Sequence, residues 1–213
     1  MPAARDAAPL QPGAAPHVLL PVVPLTDVCL FPEASLKPLV TAPPAIRGLE
    51  LALRSGKQAL AIAQKDAGGP RDLQDVGTVA EVAVIDRLAD GTLRAELDGL
   101  RRARLITLIG VDTLIGEVEL LDEGDPGGEW GAAVEALARY LHSHSQLRSF
   151  LDQQRRSREP MAWVNLACQH LPITMTARQK LLEAAAAERC QKIGRGLDAL
   201  LRKEHADPSG AGR

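Results

Sequence analysis

Aromatic side chains are scarce in this chain: two Trp, one Tyr and two Phe, or 2% of 213 residues. Phe31 is the only one before residue 125. A surface that holds single-stranded nucleic acid by stacking bases on exposed rings has little to build from there. Cysteine is scarce too. Cys29, Cys168 and Cys190 are odd in number, lie far apart and form no CxxC pair. That excludes a disulfide framework and zinc-finger spacing, and it makes a reducing, cytoplasmic compartment the expectation. The apolar run VLLPVVPL (18–25) is too short and too proline-broken to span a bilayer. Residues 1–16, rich in Ala and Pro, lack the continuous apolar core of a signal peptide. No GxxxxGK[ST] phosphate loop occurs; Gly68-Gly69 and Gly127-Gly128 have no lysine in register.

What is present is an ordinary globular composition, 46% hydrophobic and 24% charged. A chain of this length accommodates one domain with a smaller partner and buries roughly 70% of its extended surface, so no metal or disulfide is needed to hold it. Its net charge of −2 conceals an asymmetry. Residues 1–125 carry 12 Lys+Arg against 18 Asp+Glu, and residues 126–213 carry 13 against 9. The sign changes at EGDPGGEW (123–130), which is also the clearest turn-and-linker segment. The expected organisation is a β-rich unit over 17–124 and a helical bundle over 125–205, with disordered tails at 1–16 and 206–213.

The first half reads as extended segments. Val18–Leu25 and Leu36–Thr41 precede a short helix in which Pro43 and Pro44 suit the first turn, Ile46, Leu49 and Leu53 recur at helical spacing, and Gly56 suits a left-handed cap. QALAIAQK (58–65) and VGTVAEVAVIDRL (76–88) follow as strands. Asp90-Gly91 signals a hairpin, and TLRAEL then alternates, with Leu93, Ala95 and Leu97 on one face. Asp98-Gly99 predicts a second bend before RARLITLIG and TLIGEVELL. About seven strands with short connections predict a closed or nearly closed sheet.

The second half reads as four helices. Glu129–Arg156 contains no proline and carries Val134, Leu137, Leu141, Leu147 and Leu151 at helical intervals. Pro160 opens the next helix and Pro172 ends it; Thr174 or Thr176 caps a third, and a last one runs from about Glu188 to the basic Arg202-Lys203. Together they predict a small bundle. His142-Ser143-His144 suggests a metal or catalytic group, yet residues two apart on a helix point in different directions, so solvated surface is the preferred reading. Ser143, His144 and Asp152 lack the glycine elbow a nucleophilic site requires. The three cysteines read as small buried hydrophobes. The pairs Glu117/Glu119 and Asp122/Glu123 read as a solvated edge, not as a metal or acid–base site.

Several segments in fixed order resemble the N-terminal substrate-binding domain of Lon proteases. They are LPVVPLTDVCLFPEASLKPL (20–39), the helix near Ile46–Leu53, AIAQKD (61–66), DLQDVGTVAEV (72–82), LADGTLRAELDGLRRARL (88–105) and LPITMTARQKLLE (171–183). The resemblance covers about residues 18–203. It implies an α+β fold, a PUA-like β-rich pseudobarrel followed by a C-terminal helical bundle. It also implies a non-enzymatic domain that recognises unfolded or tagged polypeptides, standing alone without ATPase or peptidase modules. A Lon protease or a chaperone would be the partner, with no cofactor, metal or membrane involved.

Two readings of Phe31-Pro32 follow. In one, a bend folds Phe31 back into the core; in the other, Phe31, Pro32 and Leu36 form an apolar surface that catches polypeptide. Arg101, Arg102 and Arg104 are candidates for a basic contact surface, and RRSR (155–158) is a second basic segment. The alternative function is RNA binding through the PUA-like half. The acidic β half, the few aromatics and the lack of an RNA-binding signature weigh against it, and a cationic helix end explains RRSR.

Overall fold

The computed structural model describes residues 17–65, 69, 71–154 and 159–206. The tail expected at 1–16, the part of the 206–213 tail beyond Ala206 and the RRSR segment lie outside the described residues; Ala206 itself ends a helix.

Seven strands and six helices occur among the described residues. β1 (His17–Leu25) runs parallel to β4 (Gln58–Ala63), with α1 (Pro43–Arg54) in the connection between them. β4 pairs antiparallel with β5 (Val76–Arg87), β5 with β6 (Leu93–Ile109), and β6 with β7 (Ile115–Leu120). β7 returns to β1, so the strands close into a ring. Closure removes the free edges that an open sheet would expose. Leu20, Val22, Leu60, Ile62, Leu114 and Val118 pack inside it. A second cluster lies under α1, where Ala45, Leu49 and Ala52 meet Val23, Leu93 and Leu97.

Two strand expectations change. The extended segment 36–41 is divided into β2 (Ser35–Leu36) and β3 (Leu39–Val40), both on the first half of β6. Pro38 between them has no N–H to donate, although its carbonyl accepts from Ala95 N–H at 3.2 Å. The predicted bend at Asp98-Gly99 is absent: β6 continues for 17 residues and absorbs the irregularity as a bulge at Leu100. Gly99 is needed for close approach and not for turning. Its carbonyl accepts from Glu33 N–H at 2.8 Å and its N–H donates to Ala34 O at 2.9 Å. A Cβ there would lie 2.1 Å from the Phe31 carbonyl oxygen.

The helical half begins with α2 (Glu129–Ser143) and α3 (Ser145–Gln154). The single helix expected over 129–156 is broken at His144, which has φ −123° and ψ 62°. Its imidazole Nδ1 donates to Tyr140 O at 2.8 Å and its ring stacks on Tyr140 at 4.0 Å, which rewards leaving the helical path without any proline. α4 (Pro160–His170), α5 (Met175–Glu183) and α6 (Ala186–Ala206) complete a set of five helices instead of four. Thr174 caps α5, its hydroxyl oxygen accepting from Ala177 N–H at 3.2 Å. A third cluster joins the layers: Cys29, Phe31, Ala34, Ala63 and Val76 pack with Tyr140, Val164, Ala167 and Leu182.

Candidate functional site

The Phe31-Pro32 loop lies between the sheet and the helices. Phe31 is 0% exposed, and its N–H donates to Gln169 Oε1 of α4 at 3.1 Å. Gln169 Nε2 donates to Ser35 O at 2.9 Å, so one amide brackets both ends of the loop. Thr78 Oγ1 donates to Leu30 O at 2.6 Å. Gln179 of α5 repeats the pattern, accepting from Cys29 Sγ at 3.4 Å and donating to Val76 O at 2.9 Å. Buried amides thereby satisfy backbone groups that the irregular loop leaves outside any ladder. Phe31 and Pro32 are both buried, so they do not form an apolar surface; only Leu36 keeps partial exposure. For Phe31 the placement matches the other reading, a bend folded into the core.

The three arginines separate in the same way. Arg101 is exposed and makes no ion pair among the described residues. Arg104 is exposed and held by Glu119 at 2.9 Å. Arg102 is 2% exposed and cannot serve a contact surface. Its Nε donates to Glu123 Oε1 at 2.6 Å, and its other nitrogens donate to the carbonyls of Asp122, at 2.9 Å, and Glu183, at 3.0 Å. Glu123 Oε2 accepts in turn from Arg189 Nη2 at 3.0 Å. Arg189 is wholly buried; it also donates to Leu181 O, Ala184 O and Asn165 Oδ1, and lies 5.8 Å from the Phe31 ring centre. Burial lowers the Arg189 pKa while Glu123 opposes the shift. One carboxylate therefore stands between two buried guanidiniums where strands meet helices.

Burial pushes the thiols of Cys29 and Cys168 up to about 12, and that of Cys190 upward as well, so all three are held protonated. His142 is exposed and His144 faces Tyr140. Among the described residues no group of three His, Cys, Asp or Glu side chains could hold a metal. No helix among them is long and apolar enough to cross a membrane.

An open groove of about 380 Å³ runs between α5 and α6. Leu171 and Ile173 close one end, Ala177 and Leu181 line the α5 wall, and Ile193, Leu197 and Leu200 line the α6 wall. Lys180 and Lys192 stand at its rim. Helical periodicity alone does not reveal this groove. The available signal was Gly196, three residues after Ile193 on the same helical face, where a missing side chain leaves the stripe open. A Cβ at Gly196 would meet no atom within 4 Å. A second cavity, about 490 Å³, is lined by Arg101, Leu100, Glu33 and Gln58 together with Val18, Leu20 and Val79.

Comparison with known proteins places this arrangement. The ATP-dependent protease La (LON) substrate-binding domain matches residues 19–198. The chain is 32% identical over 201 residues to "Lon protease" of Xanthomonas oryzae pv. oryzae, covering 86% of this chain and 23% of that protein. It is 31% identical over 196 residues to "Lon protease 1" of Thermus thermophilus, covering 86% and 24%. The chain thus spans about a quarter of the length of these relatives. The N-terminal domain of Mycobacterium avium complex Lon protease superposes with a TM-score of 0.71 at 19% identity, covering 85% of this chain and 98% of that one. The Lon N-terminal domain protein from Xanthomonas campestris gives 0.56 at 22% identity, covering 87% and 98%. Together with the closed strand ring and the helices packed on it, the match over residues 19–198 shows that the chain belongs to the LON substrate-binding domain family.

Proposed function

We propose that this chain binds unfolded or tagged polypeptides without acting on them chemically, and hands them to a Lon protease or a chaperone. Its family supports a substrate-binding role. The observation that carries the finer reading is the α5–α6 groove, in which half-buried Ile173, Ala177 and Leu200 and the bare Gly196 lie over the buried Leu171, Leu181, Ile193 and Leu197. Such a surface accepts leucine-like side chains with little regard for sequence. Its volume lies within the range of specific ligand sites. Two or three apolar side chains buried there contribute about 2 kcal/mol each before ordering costs. The resulting affinity is in the tens of micromolar or weaker, which suits capture followed by release. RNA binding has less to rest on, since Arg102 is buried, Arg104 is paired and Phe31 is inaccessible.

Fluorescence anisotropy tests this directly. Purified protein is titrated into a labelled unfolded polypeptide and, separately, a labelled single-stranded RNA, each at low and moderate salt. Saturable polypeptide binding that persists at moderate salt is expected. Binding to RNA alone, falling steeply with salt, would refute the reading.

A further inference from the structure

The charged residues that line the groove, among the described residues, are both lysines. Lys180 stands on the α5 rim and Lys192 on the α6 rim. Lys203 lies seven residues after Gly196, two helical turns along the same face. Lys192 is held by Glu188 at 2.8 Å, whereas Lys180 and Lys203 make no ion pair among the described residues. The nearby α6 carboxylate of Asp198 is turned to the opposite side of the helix, where it binds Arg139 at 2.9 Å. An occupant of the groove therefore meets an apolar floor with one uncommitted ammonium group, Lys180, on its α5 wall, and a segment running past Leu200 along α6 reaches a second, Lys203. The α6 wall from Lys192 to Leu200 rises about 12 Å, enough for two helical turns or about four extended residues.

We infer that the groove selects short apolar polypeptide segments flanked by acidic side chains, an inference that rests on the polypeptide-binding reading above. Apolar anchors fill the space over Gly196 between Leu181 and Leu197. A flanking Asp or Glu on one side meets Lys180, and one on the other meets Lys203. Because both cations are solvated, the selection is modest. Two exposed ion pairs correspond to about a fivefold preference at low salt, fading as salt screens them. The apolar contact supplies the salt-tolerant part of the affinity and the lysines decide between competing segments.

The test uses the full chain and two labelled peptides that share one Leu/Ile/Ala core, one flanked by Asp and Glu and the other by Lys. Three proteins are compared: the wild type, Gly196→Leu, and the double variant Lys180→Glu/Lys203→Glu. Gly196→Leu projects its side chain into the groove, and replacing a mid-helix glycine favours the helix, so its circular dichroism spectrum is unchanged. The wild type is expected to bind the acid-flanked peptide about fivefold more tightly at low salt, an estimate for two exposed ion pairs. The double variant inverts that order, and Gly196→Leu loses both peptides. Equal binding of the two peptides by the wild type, with Gly196→Leu still blocking, would overturn the charge inference and leave the groove reading standing. A preference that survives the double charge reversal would also overturn it, by placing the cations elsewhere. Undiminished binding by Gly196→Leu would overturn the groove reading and this inference with it.

Discussion

Arg102, Glu123 and Arg189 allow a prediction about which charge the fold needs most. The cluster holds two cations and one anion, so its net charge is +1. Glu123→Gln preserves shape but leaves two buried guanidiniums facing each other with no counter-charge. Breaking a buried pair by removing one partner costs about 3–5 kcal/mol. The Glu123 side chain is 33% exposed, which admits water and places the loss near the lower end, about 3 kcal/mol. Arg189→Met instead leaves Arg102 and Glu123 as a neutral pair. It strips Leu181 O, Ala184 O and Asn165 Oδ1 of donors, at about 1–3 kcal/mol for each group that water cannot reach. It also removes a cation that burial disfavours, and the desolvation penalty of several kcal/mol for such an ion offsets most of those losses, so the net loss is about 1–2 kcal/mol. Urea unfolding followed by circular dichroism and by Trp130/Trp163 fluorescence reads both values. Glu123→Gln should have the lower midpoint, with the two probes coincident because strands and helices share one core. If Arg189→Met is the more damaging change, hydrogen bonding and not charge balance governs the junction, and the reasoning is wrong.

Two further expectations follow from burial. Phe31→Ala removes a fully buried ring from the shared cluster and should cost about 3–5 kcal/mol by urea unfolding; a loss under 1 kcal/mol, with polypeptide binding abolished, would return Phe31 to the surface. His170 is half-buried beside Phe150, and burial, aided by the Arg178 guanidinium, holds its imidazole below the ordinary 6.5. The unfolded chain therefore takes up a proton before the native one does. The His170 contribution to stability is fully present above about pH 6.5 and is lost as pH falls below it. His170→Gln should show a shallower fall in urea midpoint between pH 7 and 5, and an unchanged slope would show that other groups dominate the window.

Elements with a strong local pattern were legible from residue order alone. Leu93, Ala95 and Leu97 alternate and face the core, Pro43-Pro44 open α1, Thr174 caps α5, and Asp90-Gly91 turns the hairpin. Each depends on neighbours a few positions away, where spacing carries the information. The two misread boundaries differ in cause. His144 leaves the helix for a stack on Tyr140, only four residues earlier, whereas Gly99 keeps β6 extended because the remote Phe31 loop needs its N–H and carbonyl. The first was present locally as an aromatic pair at i, i+4 that helical periodicity also permits; the second had no local signal.

The candidate site divides along the same line. Residue order by itself determined the strand-then-helix architecture, the absence of a phosphate loop and the family resemblance, because these are written in periodicity and motif order. Only the tertiary structure decided which side chains are available to a partner. Phe31, Pro32 and Arg102 look like binding residues in one dimension, and all three are buried; Gln169 meets the Phe31 N–H, Arg189 lies over its ring and Glu123 holds Arg102, all from segments remote in sequence. Leu200 looks like ordinary core and is only partly buried, and it lines a groove with the buried Leu197 where Gly196 has no side chain to fill the space. Exposure is a property of what packs alongside, and that is settled by contacts between segments that the order of residues leaves far apart.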